Sequence, residues 1–183
     1  MFQIFGHDRA APQIPKWLAD DIGVPPGTRL RDFPDAARRL PRRQRDPLVQ
    51  ELRQVPLFSS LTPKRRRVVE QLVTPLRIEE QTVVAVEGSR PRELLVVVDG
   101  TVAALRREEF VATHGPGSNI GAAALLADRP RATSLVTATP LRAFVVSRQD
   151  FARLLDEVPE VSQRLHAEIG RAALAGITPE LAA

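Results

Sequence analysis

The sequence predicts a mainly β domain with flanking helices, built as a jelly-roll β-barrel, and three observations carry that reading. Residues 74–147 hold short runs rich in Val, Leu and Ala, broken by turn residues at near-regular spacing. Strands so short and so evenly spaced belong to antiparallel sandwiches and jelly rolls rather than to parallel sheets. Helix-capping patterns stand at both ends of that block, Thr62-Pro63 before it and Ser147-Arg148-Gln149-Asp150 after it. Finally, Asp99-Gly100 separates two apolar runs, the strongest short-range hairpin signal in the chain.

Taken in order, residues 1–45 carry Pro12, Pro15, Pro25, Pro26, Pro34 and Pro41 with Gly6, Gly23 and Gly27. Proline fixes φ and removes a backbone donor, so this density excludes long helices and central strands. Trp17, Leu18 and Ile22 can dock as one amphipathic turn. Arg29, Arg31, Arg38, Arg39, Arg42, Arg43 and Arg45 outnumber Asp32 and Asp35, which makes this a Pro/Arg-rich N-terminal arm. Such an arm is either solvated or a contact surface for an acidic partner or nucleic acid.

The domain itself is expected over residues 46–175. Asp46-Pro47 reads as an N-cap with proline at the first helical position, leading into Leu48, Val49, Leu52 and Val55. Thr62-Pro63 opens a second helix with Val68, Val69, Leu72 and Val73 on its apolar face. Lys64, Arg65, Arg66 and Arg67 fall in its first turns, where positive charge opposes the helix dipole. Their retention points to a surface role or a solvated face.

Strands follow around Leu76 and Ile78, then over Val83–Val86, Leu94–Val98, Thr101–Leu105, Phe110–Thr113, Thr133–Thr137 and Leu141–Val146. Turns fall at Glu87-Gly88, Asp99-Gly100 and Thr139-Pro140. The Ser147 capping box starts a helix with Phe151, Leu154 and Leu155 on one face. Pro159 starts another with the stripe Val161, Leu165 and Ile169. Residues 176–183 read as a tail.

Composition narrows the function. The 183 residues contain no Cys, which removes disulfides, thiolate zinc sites and Cys nucleophiles together. No apolar run reaches membrane-spanning length, and the N-terminus lacks the pattern of a signal peptide, so a cytoplasmic setting is expected. Net charge is +4, and the pI is about 10.8. That mild basicity permits nucleic-acid contact without arguing for specific DNA binding. His7, His114 and His166 are too scattered for a metal site by spacing, and no Gly-x-Ser-x-Gly elbow or nucleophile–base pair can be assembled. An enzyme is not expected, and neither is a metal.

One stretch still carries chemistry, His114 to Val136, which reads HGPGSNIGAAALLADRPRATSLV. Gly115 and Gly117 break the preceding strand, and Gly121 begins a run, Ala122 to Leu126, of one or two helical turns. The first N–H groups of such a turn, from Gly121 through Ala122, Ala123 and Ala124, lack intrahelical partners and can face an anion. Nine residues beyond Ala122 stands Arg131, whose planar guanidinium suits two phosphate oxygens. The plain alternative for a loop Arg is a neighbouring carboxylate, with Glu87, Glu93 or Asp128 available.

This stretch resembles the phosphate-binding cassette of cyclic nucleotide-binding domains, as in catabolite activator proteins and protein kinase A regulatory subunits. The family pattern is Phe-Gly-Glu-x-Ala-Leu-x, a short loop and Pro-Arg-Ala-Ala-Thr. Here Ile120-Gly121-Ala122-Ala123-Ala124-Leu125-Leu126 is followed by Pro130-Arg131-Ala132-Thr133-Ser134. Pro56-Leu57-Phe58-Ser59-Ser60-Leu61 also matches the family's turn before the β block, and Gly88, Gly100 and Gly117 fall on its turn glycines.

The resemblance implies a regulatory ligand-sensing module with cAMP or cGMP as the ligand. It places the site at Gly121, Ala122, Ala123, Ala124, Arg131, Ala132 and Thr133, with Arg131 gripping the phosphate. Two departures mark the cassette as degenerate. Ala122 stands where the family's Glu takes the ribose 2′-hydroxyl, and Ser89 stands where an Asp often orients the pocket Arg. The sequence therefore leaves three classes open: a sensor for a small phosphate, a protein-interaction subunit working through the arm or the Lys64–Arg67 face, and, third in order, direct nucleic-acid binding through the same basic residues. The family's transcription factors append a helix-turn-helix domain, and the residues after Gly176 are too few to supply one.

Overall fold

The computed structural model describes residues 38–39 and 51–174. The Asp46-Pro47 helix start, the rest of the arm and the tail lie outside those residues. A helical turn over 51–54 leads into α1, Pro63–Leu72, capped by Thr62, whose Oγ1 accepts the Arg65 N–H at 3.3 Å. The described residues hold nine strands, the first ahead of α1: β1 Arg38–Arg39, β2 Thr74–Ile78, β3 Val83–Ala85, β4 Glu93–Asp99, β5 Val102–Arg106, β6 Glu109–His114, β7 Asn119–Ile120, β8 Ser134–Thr137 and β9 Leu141–Ser147. A short helix α2, Ala122–Leu126, interrupts them, and α3, Arg148–Glu157, and α4, Pro159–Leu174, close the described chain. Ser147 caps α3 as its capping box requires, accepting the Asp150 N–H at 3.1 Å.

The mainly β fold with helices at both ends stands as expected, but the barrel does not close. The strands form two antiparallel sheets, ordered β1-β2-β9-β4-β7 and β3-β8-β5-β6, and no described strand bridges them. The edge strands β7 and β3 are two and three residues long, too short to carry a ladder around the corner. The sheets instead stack face to face over Ile78, Leu95, Val97, Val102, Ala104 and Leu135.

β4, ELLVVVD, shows why its sequence is apolar throughout. Leu95 and Val97 enter the layer between the sheets, while Leu94 and Val96 face the helices, where they pack with Phe144, Val146, Phe151, Leu154 and Leu165. A strand covered on both faces loses its polar alternation. β9 is shared in the same way, with Ala143 on one side and Phe144 on the other.

The Asp99-Gly100 hairpin is corrected. β4 and β5 belong to different sheets and do not pair, so this turn carries the chain from one sheet to the other, with Gly100 at φ +89°. The true hairpin joins β5 to β6, where Arg106 opposes Glu109 across Arg107 and Glu108. Both turn residues have positive φ, +51° and +70°, the geometry of a primed two-residue turn built without glycine or asparagine. The Glu87 carboxylate accepts the Arg107 N–H at 2.7 Å and helps to hold it.

Candidate functional site

The site is assembled by β7. Its two residues pair with Leu95 and Val96 of β4, which sets Gly121 beside the start of β4 at Glu93. Gly121 is the N-cap of α2 at φ +91°, a left-handed conformation that glycine adopts without Cβ strain. The first i→i−4 bond of α2 runs from the Leu125 N–H to the Gly121 carbonyl at 3.0 Å, so the N–H groups of Ala122, Ala123 and Ala124 precede it.

Arg131 returns to the same place after the loop 127–130. Its backbone is clamped to the turn after β3: its N–H donates to the Ser89 carbonyl at 2.9 Å, and its carbonyl accepts the Gly88 N–H at 2.8 Å. The side chain is only 8% exposed, and Nη2 donates to the Glu93 carbonyl at 3.0 Å. The guanidinium lies against Gly121, where an added Cβ would meet Nη1 at 2.7 Å and the Glu93 carbonyl at 3.0 Å. Gly121 and Arg131, paired on spacing alone, are thus brought into contact.

The carboxylates weighed as partners for Arg131 divide. Asp128 pairs with Arg148 at 2.9 Å, Glu87 serves the Arg107 N–H, and Glu93 offers its backbone carbonyl. Ser89, at the family's Asp position, contributes its carbonyl to the Arg131 N–H while its hydroxyl turns back to the Val86 carbonyl.

Arg131, Glu93 and Ile120 line a partly open cavity of about 70 Å³ between the two sheets. Its remaining walls come from β2, β3, β4, β8 and β9, and nine of the twelve lining residues are Leu, Ile, Val or Ala.

The other cassette residues lie around the cavity rather than on it. Ala122 is 4% exposed and packs in the core against the helices, and Ala124 is buried too. Ala123 is half-buried. The Ala132 carbonyl accepts from Arg106 Nε at 3.4 Å, and Thr133 is buried at the entry to β8. Sequence reasoning missed the role of Glu93, because a backbone carbonyl leaves no side-chain signature. It also missed the aliphatic walls, whose residues look like ordinary core.

The family model of the cyclic nucleotide-binding domain matches residues 75–158. Over those residues, a little under half of its length, the chain is similar to that family. It is 30% identical over 113 residues to a cAMP-dependent protein kinase regulatory subunit from Hypocrea atroviridis, covering 62% of this chain and 24% of that protein. It therefore spans about a quarter of the length of the curated relatives it matches. Among solved structures, the regulatory domain of Toxoplasma gondii PKA, crystallised with cAMP, superposes with a TM-score of 0.56 at 26% identity, over 72% of this chain and 51% of that one. The catabolite activator protein of Thermus thermophilus superposes at 0.61 with 24% identity, over 66% and 59% of the two chains.

Among the described residues no helix is long and apolar enough to cross a membrane, and no group of His, Asp and Glu is placed to hold a metal ion.

Proposed function

We propose that this domain is a non-catalytic regulatory module whose Arg131 pocket senses a small anion, with cAMP, cGMP or a related phosphate bound weakly. The observation that carries this reading is a guanidinium 8% exposed, held against Gly121 on the wall of a partly open, mainly aliphatic cavity. A guanidinium carries five N–H donors in a planar fork, suited to two oxygens of one phosphate.

The site fits the phosphate better than the sugar. Ala122 supplies no acceptor for a ribose hydroxyl, and an unpaired buried hydroxyl lowers affinity by about 1–3 kcal/mol, roughly ten- to a hundredfold. Occupancy would be read out by α4. Glu168 of that helix already bonds Asn119 of β7, the strand that sets Gly121 in place.

Calorimetric titration with cAMP and cGMP tests the reading. The natural protein should bind weakly, Arg131→Ala should abolish binding, and Ala122→Glu should strengthen it by about 1–3 kcal/mol. Because Ala122 packs in the core, the same Glu should lower the melting temperature of the ligand-free protein. No heat from the natural protein or from Ala122→Glu would sink the sensor reading.

The second reading, a protein-interaction subunit with no nucleotide bound, draws on the position of Ala122 in the core. The Lys64–Arg67 face serves it poorly. Arg65 donates to the Glu157 carbonyl and pairs with Glu160, while Arg66 is 6% exposed and bonds the Leu61 carbonyl. Lys64 and Arg67 are left exposed there, so the Pro/Arg-rich arm over residues 1–45 is the better surface for a protein partner. Two exposed cations also make a small phosphate footprint, and any binding of nucleic acid by this face should vanish near physiological salt.

A further inference from the structure

We propose that the preferred ligand of the Arg131 cavity is an apolar organic acid, with one carboxylate on a compact aliphatic or aromatic body, rather than a purine nucleotide. This rests on the reading of that cavity as a ligand site and narrows what the site takes.

The walls decide it. Among the twelve lining residues the polar side chains are Arg131, Glu93 and Thr82. Thr82 is occupied within the fold: its N–H donates to Thr137 Oγ1 at 2.8 Å, and its hydroxyl points to the Glu80 carbonyl at 3.5 Å. The Glu93 carbonyl is occupied by Arg131, which leaves its carboxylate as an acceptor. Arg131 supplies the positive charge. Everything else on the wall is aliphatic, Leu76, Ile78, Leu95, Leu135 and Val145 among it, and none of the twelve is aromatic.

A purine cyclic nucleotide brings a ribose hydroxyl and several donor and acceptor atoms around the base. One carboxylate can accept from one donor. The ring acceptors and the remaining edge groups would then lie against aliphatic carbon, with no aromatic face for the base to stack on. Each buried group left unpaired lowers affinity by roughly ten- to a hundredfold.

An apolar acid makes the opposite match. Its body removes apolar surface from water against nine aliphatic side chains, and its two oxygens meet the guanidinium fork. Its lack of further polar groups ceases to be a handicap.

The test is a titration of the full chain, followed by calorimetry and thermal shift, with cyclohexanecarboxylate, phenylacetate and octanoate. The primary amide of each acid is run beside it, together with cAMP and cGMP. At least one acid should raise the melting temperature and bind at least tenfold tighter than either cyclic nucleotide. Its amide should bind at least tenfold more weakly, and Arg131→Gln should erase the difference between acid and amide. The acid–amide comparison needs no variant, so it stands even where Arg131→Gln fails to fold. Tighter binding of cAMP or cGMP than of every acid would overturn this inference and leave the sensor reading intact. Equal binding of acids and amides would overturn it by showing apolar adsorption without Arg131. No binding by any probe would remove both this inference and the sensor reading.

Discussion

Asn119 Nδ2 donates to Glu168 Oε2 at 2.9 Å, a single bond that links the strand before Gly121 to the last described helix, 49 residues on. The Asn119 Oδ1 is buried without a partner among the described residues, so the amide is held through its nitrogen alone. Glu168→Ala should lower unfolding free energy by about 1 kcal/mol, as expected for a partly buried, charge-assisted bond. A double-mutant cycle with Asn119→Ala should return a coupling of similar size. A coupling near zero, measured by urea unfolding, would mean that helix and strand are held together by packing alone.

Gly121→Ala meets two obstacles, φ at +91° and a guanidinium 2.7 Å from the new Cβ. The backbone conformation alone costs on the order of 1–3 kcal/mol in a residue with a side chain. Removing the guanidinium in Gly121→Ala/Arg131→Ala relieves the second obstacle only, because the Glu93 carbonyl still stands 3.0 Å away. The two losses should therefore combine to less than their sum in denaturant titrations. Simple additivity would show that Arg131 does not rest on Gly121.

What was legible in the sequence follows from where side chains carry the information. β4 and β9 were legible because burial on both faces leaves a continuous apolar run, and α1 and α3 because Thr62 and Ser147 announce their caps. The Gly121–Arg131 pair was legible only through the spacing shared with the family, since nothing local in either residue points to the other. Asp99-Gly100 misled because its turn chemistry is the same whether the next strand pairs back or crosses to the other sheet; pairing decides that, and pairing is non-local. β7 was hidden in a glycine-rich segment, where two residues form a ladder because β4 offers them an edge. β1 fell in the arm, at a sheet edge where proline-rich sequence is tolerated.

The turn Arg107-Glu108 was the other hidden element, and it gives a stabilising prediction. Each L-residue in the left-handed region costs roughly 1–2 kcal/mol, against which glycine's extra freedom in the unfolded chain offsets about 0.5–1 kcal/mol. Glu108, at φ +70°, is exposed, and Arg107 keeps the bond to Glu87 when Glu108 changes. Glu108→Gly should therefore raise stability by about 0.5–1 kcal/mol with ligand binding unaltered. A lower melting temperature would mean that the Glu108 side chain makes a contact worth more than the strain.

His114 gives the pH prediction. The ring is 1% exposed at the end of β6, opposite Val102, and neither Nδ1 nor Nε2 has a hydrogen-bond partner among the described residues. Burial penalises the charged imidazolium and lowers its pKa below the ordinary 6.5. The sign follows from linkage. Below about pH 6.5 the unfolded chain takes up a proton at His114 that the folded chain refuses, so the unfolded state gains free energy from binding it. The stability tied to this residue is complete above the unfolded pKa and is lost as pH falls from there toward the lowered folded value. Carboxylates titrate nearer pH 4, so a window from pH 7.5 to 5.5 isolates the effect from most of them. Urea midpoints of the natural protein should fall across that window. His114→Leu should flatten the fall, and at pH 7.5 it should be neutral or stabilising, since it removes two buried unpaired nitrogens. A natural protein whose midpoint stays level to pH 5.5 would show that the ring charges in place and that a partner holds it.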